Sequence, residues 1–177
     1  FEGTFVSSNM TGKQIFDTLS AGIFFTGIAA GFVEEMVFRG VILNLLKERW
    51  NTVAAVLVPS IAFGCLHVLG MNFTIESSLL VIAAGSLVGI MFSLIALRSG
   101  SVWNSAIVHA IWNIVIIGGD LTIADKVDEY SVMTYVLSSK SFAVTGGEFG
   151  IESSLVALVG YSVVSIIILI SWKKHKG

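Results

Sequence analysis

Between Ala21 and Leu46 the chain is almost wholly apolar, yet it carries Glu34, Glu35 and Arg39 in the middle of that run. Ionisable groups at membrane depth cost several kcal/mol each, so they mark a site or a tight internal pair. On a helix Glu35 and Arg39 stand four residues apart on one face, acid before base, which suits an ion pair. Glu34 is rotated by about 100° from Glu35 and points elsewhere. The plainer alternative is that all three charges form one structural cluster.

Other apolar runs of spanning length follow. The 177 residues are 55% hydrophobic and 12% charged, with mean hydropathy +0.89, whereas a soluble domain carries about 25% charged residues. The expected fold class is therefore all-α, a polytopic transmembrane bundle of about five helices forming one domain over residues 1–177. A net charge of −2, with no basic clusters away from segment ends, argues against nucleic acid as a partner and leaves the lipid bilayer. The single Cys65 excludes an internal disulfide and reads as packing. The chain starts at Phe1 without the basic start of a signal peptide, and reads as a fragment of a longer protein.

Residues 1–12 are mixed and polar, with Ser7-Ser8-Asn9 and Thr11-Gly12 as turn or cap material. The expected helices are about Lys13–Lys47, Thr52–Leu69, Ile75–Leu97, Val102–Ile117 and Ser153–Trp172. The first is longer than a span needs, so it tilts or kinks. Pro59 should kink the second and free a carbonyl near Phe63. Between the fourth and fifth helices, residues 118–152 form an acidic, glycine-punctuated loop in which Tyr130–Leu137 is a candidate strand. With alternating helices, Lys47, Arg49, Arg98, Lys173, Lys174 and Lys176 fall on one side, and Lys13, Lys126 and Lys140 on the other. The excess of positive charge puts the first side, with the C-terminus, in the cytoplasm.

Two histidines lie within the expected spans. His67 follows Phe63 by one turn, and His109 precedes Asn113 by one turn. At 1.5 Å per residue, Glu34 lies roughly 20 Å, His67 about 24 Å, His109 about 12 Å and Asn113 about 18 Å from the Lys47 end. Four polar side chains from three helices thus share one slab of bilayer, and convergence on one buried site satisfies them economically. Taken singly, each has a duller reading: a packing histidine, or an interhelical hydrogen-bond donor for Asn113. Ser60, Ser86, Ser93 and Ser105 read as small packing residues rather than nucleophiles. Gly85 and Gly89 read as a close helix contact, and Trp103, Trp112 and Trp172 as interfacial or packing aromatics.

Glu34-Glu35-x-x-x-Arg39, Phe63-x-x-x-His67 and His109-x-x-x-Asn113, in that order, resemble the three-motif signature of the CAAX-prenyl-protease and bacteriocin-processing (CPBP, or Abi) family of intramembrane proteases. The resemblance covers about Gly22 to Ile117; the family's usual extra N-terminal helices are absent from the sequence. It implies an endopeptidase with Glu34, His67, His109 and Asn113 as catalytic residues and Glu35, Arg39 and Phe63 in support. Peptide hydrolysis needs an activated water and a donor set for the oxyanion, roles that Glu34 with His67, and His109 with Asn113, can fill.

The family is often classed as metalloproteases, and Glu34, His67 and His109 supply the His₂Glu ligand type of catalytic zinc sites. No His-Glu-x-x-His motif is present, and Asn113 suits an oxyanion better than zinc. The expectation is a glutamate-activated water without cofactor, with Zn²⁺ as the alternative. The implied substrate is a peptide or a prenylated protein, in peptide maturation or bacteriocin self-immunity, and the implied place a bacterial plasma membrane. The rival classes are a proton-coupled transporter, for which inverted repeats and paired broken helices are missing, and a non-enzymatic immunity or scaffold protein.

Overall fold

The computed structural model describes residues 2–174; His175 and Lys176 of the basic C-terminal run lie outside the described residues. Five long helical segments dominate it: α1 Gly12–Arg49, α2 Thr52–Leu66, α3 Ile75–Ser99, α4 Val102–Ile117 and α5 Leu155–Lys174. Their starts follow from local chemistry. Thr11 and Gln14 close a capping box on α1, Asn51 accepts from the Ala54 N–H, Thr74 from Ser77 and Ser101 from Trp103. Gly100 ends α3 at φ +70°, a conformation glycine adopts without strain.

Polarity is distributed inside out. Along α1, Val33, Val37, Val41 and Leu45 form an exposed apolar stripe, while Glu35 and Arg39 are buried at 0% and 2% exposure. Val156, Val159, Val163, Ile166 and Ile170 expose the same kind of surface on α5. Such a surface is stable against hydrocarbon, not water. Helices α1, α3 and α5 are each long and apolar enough to cross a membrane; α2 and α4 are shorter apolar helices. The chain is an integral membrane helical bundle.

Small residues let the helices approach. A Cβ on Gly85 would lie 2.7 Å from the Gly64 Cα, and one on Gly89 3.0 Å from Ser60, so α2 and α3 meet nearly backbone to backbone. A Cβ on Gly31 would lie 3.0 Å from the Ala110 Cα, which sets the Glu34–Glu35 turn of α1 beside His109 of α4. Within α1, residues Gly22–Ala30 and Met36–Ile42 are π-helical, and Asn113–Ile117 of α4 is as well. These rare segments, whose hydrogen bonds reach five residues, bracket the charged turn and begin at Asn113.

Several expectations need correction. α2 stops at Leu66 rather than Leu69, because the chain tightens into three-residue hydrogen bonds, His67 N to Gly64 O among them (3.3 Å), and turns at Gly70 (φ +77°). Pro59 removes the donor that the carbonyl one turn before it, at Ala55, would need; the Phe63 carbonyl is freed by the helix end. Cys65 is exposed on α2, not packed inside. Residues 3–7, for which the sequence predicts no element beyond a turn from Ser7, form strand β1, Gly3–Ser7. It pairs antiparallel with β3, Met133–Leu137, which pairs parallel with β2, Leu121–Ala124. The sheet order is β1-β3-β2, so the polar loop is partly ordered structure at one end of the bundle. Lys47, Thr52, Leu97, Trp172 and Lys173 line a recess together, which brings the basic residues Lys47 and Lys173 to the same end of the bundle as the last turn of α3.

Candidate active site

The charged turn of α1 is held from inside. Arg39 Nη1 donates to Glu35 Oε1 at 2.7 Å, and both side chains are buried. Arg39 Nη2 reaches across to the Gly89 carbonyl of α3 at 2.9 Å. The guanidinium also lies 5.0–5.7 Å from the ring centres of Phe38, Phe63 and Phe92, where the negative ring faces favour a cation. Glu35 is thereby fixed and neutralised, as a charge at this depth requires.

His109 stands between the two acids. Its Nδ1 is 3.1 Å from Glu35 Oε1, and its Nε2 is 3.7 Å from Glu34 Oε2. A carboxylate accepts, so Nδ1 carries the proton shared with Glu35 and Nε2 is the nitrogen that faces the cavity. Glu34 differs from its neighbour: its side chain is 36% exposed, against 0% for Glu35. His67 Nδ1 lies 2.7 Å from the Phe63 carbonyl; since a carbonyl accepts, Nδ1 is the donor and Nε2 is left free. Asn113 donates one amide N–H to the Thr26 carbonyl of α1 at 2.9 Å and keeps the other.

Glu34, Phe63, His67, His109 and Asn113 line one cavity of about 300 Å³. A second hollow of about 250 Å³, lined by Glu34, Phe38, Phe63, Leu66 and His67, meets Glu34 from the α1–α2 side. Glu35 and Arg39 lie behind the first cavity rather than in its wall. The hydroxyls of Ser60, Ser93 and Ser105 donate to carbonyls of their own helices. As placed, Glu34, His67 and His109 do not converge on a common point among the described residues, although each histidine has its Nδ1 committed and its Nε2 left over, as a zinc-ligating histidine does.

The model for the Type II CAAX prenyl endopeptidase Rce1-like family matches residues 17–115, more than half of the chain. The chain belongs to that family. No curated protein and no solved structure is a significant match to it. The Rce1-like match contains the charged turn, both histidines and Asn113, and makes the chain a CAAX-type intramembrane endopeptidase at the level of the family.

Besides Ile117 at the end of α4, three residues of the cavity lie beyond the Rce1-like match. Phe149, Glu152 and Tyr161 close it from the side of the polar loop and α5. Phe149 sets its edge on His67 with ring centres 5.9 Å apart. Sequence reading passes them over, because no motif spacing links them to the α1 turn. The only signal is a lone acid, Glu152, just before an apolar helix. Trp112, read as interfacial or packing, also lines the cavity and packs on Tyr161 at 5.7 Å.

Proposed function

We propose that Glu34 is the general base of an intramembrane endopeptidase that cleaves a membrane-associated peptide or protein without a metal. The observation that supports it is the division of labour between the adjacent acids: Glu35 is sealed by Arg39, while Glu34 opens on the cavity beside His109. In the first step Glu34 takes a proton from a water whose orientation is set by His67 Nε2, a free acceptor. The hydroxide adds to the peptide carbonyl. The oxyanion meets the remaining N–H of Asn113 and, with His109 as the imidazolium between its two acids, the proton on Nε2, two donors one helical turn apart. Glu34 then hands its proton to the leaving amine, which restores the site.

Glu35 and Arg39 act through His109 by holding its ring. A proton relay, the rival reading, would need a way out beyond Glu35. Arg39 with the rings of Phe38, Phe63 and Phe92 blocks that direction, which favours hydrolysis. The family's description makes a prenylated C-terminal peptide the first substrate to try, with peptide maturation or bacteriocin immunity as the wider roles. The decisive experiment is cleavage of such a peptide by purified protein in lipid. Glu34→Gln should remain folded and lose at least about 100-fold in rate. A Glu34→Gln protein that cleaves like wild type would sink the assignment.

A further inference from the structure

One wall of the cavity takes no part in the chemistry proposed for Glu34. Residues 146–153 form a strap that contributes Phe149 and Glu152 to the cavity wall. Gly146, Gly147 and Gly150 take φ values of +82°, +66° and +108°, and the Ser153 hydroxyl is shared between the carbonyls of Gly146 (2.6 Å) and Gly150 (3.0 Å). Glu148 Oε2 fastens the strap to the start of α3 by accepting from the Thr74 N–H at 2.9 Å and hydroxyl at 3.3 Å. Tyr161 of α5 donates to the Glu152 carbonyl at 3.2 Å. The backbone at Glu152 is thus tied from both sides, and its side chain lines the cavity.

The Glu152 Oε2 is shut off from solvent and has no hydrogen-bond partner among the described residues. An acid in that position costs free energy until something supplies a donor. The polar groups that face the same cavity are Thr26, Glu34, His67, His109, Asn113 and Tyr161. None of them is bonded to the Glu152 Oε2. Tyr161 serves the Glu152 backbone, His67 the Phe63 carbonyl, His109 the two α1 acids, and Asn113 the Thr26 carbonyl, its second N–H being the one proposed for the oxyanion. Among the described residues no lysine or arginine lines the cavity. Its other walls, Val81, Val88 and Trp112 among them, are apolar and suit the methylene stem of a long cationic side chain.

We propose that Glu152 is a substrate-recognition residue that takes a lysine or arginine side chain of the peptide, near the bond presented to Glu34. This deepens the proteolytic reading of the same cavity and rests on it for the reaction, but not for the binding. The strap lies outside the stretch that matches the family, so the preference is a property of this chain's own loop.

The test uses synthetic peptide pairs, identical but for lysine or norleucine at one position scanned along the sequence, with the full chain in lipid nanodiscs. At one position wild type should favour lysine about tenfold or more in kcat/KM, Glu152→Gln should bring the ratio near one, and Glu152→Asp should keep most of it. A purely structural role for Glu152 would lower both members of the pair equally and leave the ratio unchanged, which overturns the proposal. Binding of the same pairs to Glu34→Gln, with and without Glu152→Gln, separates the two readings. A lysine preference in binding that vanishes with Glu152→Gln upholds the recognition residue even where wild type cleaves nothing and the protease reading falls. Cleavage that depends on Glu34 but shows no lysine preference in rate or binding overturns the recognition residue and leaves the protease standing.

Discussion

Phe92 lies nearly flat on the imidazole of His109, ring centres 4.7 Å apart and planes 19° apart. Phe63 meets the same ring at its edge, at 6.1 Å. Glu35 fixes the direction of Nδ1, and Phe92 fixes the plane, so Nε2 has one orientation left. Phe92→Leu keeps the site apolar and similar in volume. It should lower kcat by about 10- to 100-fold through the lost alignment of a donor, a larger effect than the change in KM from the cavity wall that Phe92 also forms. Steady-state kinetics decide it, and an unchanged kcat would reduce Phe92 to packing.

The Glu35–Arg39 pair predicts a rescue. Glu35→Gln strands a buried guanidinium and should cost about 3–5 kcal/mol of stability. Adding Arg39→Met removes the stranded charge and should recover part of that loss, the Gly89 carbonyl still accepting from Ser93 at 2.8 Å. Thermal unfolding of the two variants reads this directly. A double variant less stable than Glu35→Gln alone would show that Arg39 contributes mainly through Gly89 and the three rings.

Metal dependence separates cleanly from the glutamate mechanism. Purified protein should hold substoichiometric zinc and keep its activity after prolonged chelation. Stoichiometric zinc, with activity lost on chelation and regained on adding zinc, would require Glu34, His67 and His109 to close into a ligand set that they do not form here.

The strap carries two acids with opposite pH behaviour. The Thr74 N–H, helped by the Thr74 hydroxyl, holds Glu148 below the usual carboxylate range. Its contribution is present above that range and is lost as pH falls through the lowered value. Burial pushes Glu152 up to about 7. The folded state therefore holds that proton more tightly than the unfolded one, and stability falls as pH rises from the usual carboxylate range toward neutrality. Between about pH 5 and about pH 8 the loss should be on the order of 1–3 kcal/mol, and Glu152→Gln should flatten it. Hydrogen exchange across residues 146–153 follows it locally, and an unchanged slope in the variant would assign the loss to other groups.

Orientation is testable with single cysteines in a Cys65→Ser background. With the Lys47 and Arg98 connections cytoplasmic, a cysteine at Lys140 should react with an impermeant reagent in intact cells and one at Lys173 should not. The reverse pattern would invert the assignment.

The parts of the site legible in the sequence are those where hydrocarbon leaves no choice. Glu34, Glu35, Arg39, His67, His109 and Asn113 stand out because polar groups in apolar runs must find one another, and the helical repeat says which can. The π-helical segments were illegible, since pattern reading assumes the ordinary helical period and nothing in Gly22–Ala30 marks a departure from it. β1 was missed because Thr4, Phe5 and Val6 gain their pairing only from Val136, Tyr135 and Thr134, far along the chain. Glu152 was missed for the same reason: its importance lies in the cavity it faces, and no spacing along the chain encodes that.

The sheet also imposes an order of events on biogenesis. Gly3 pairs with Leu137 and Ser7 with Met133, so β1 is synthesised four helices before its partner. It must stand as a bare edge, its N–H and C=O groups held by water, while α1 to α4 are laid into the bilayer. Only when β3 emerges does that edge close, on the loop that carries the strap, and α5 follows it into the bilayer.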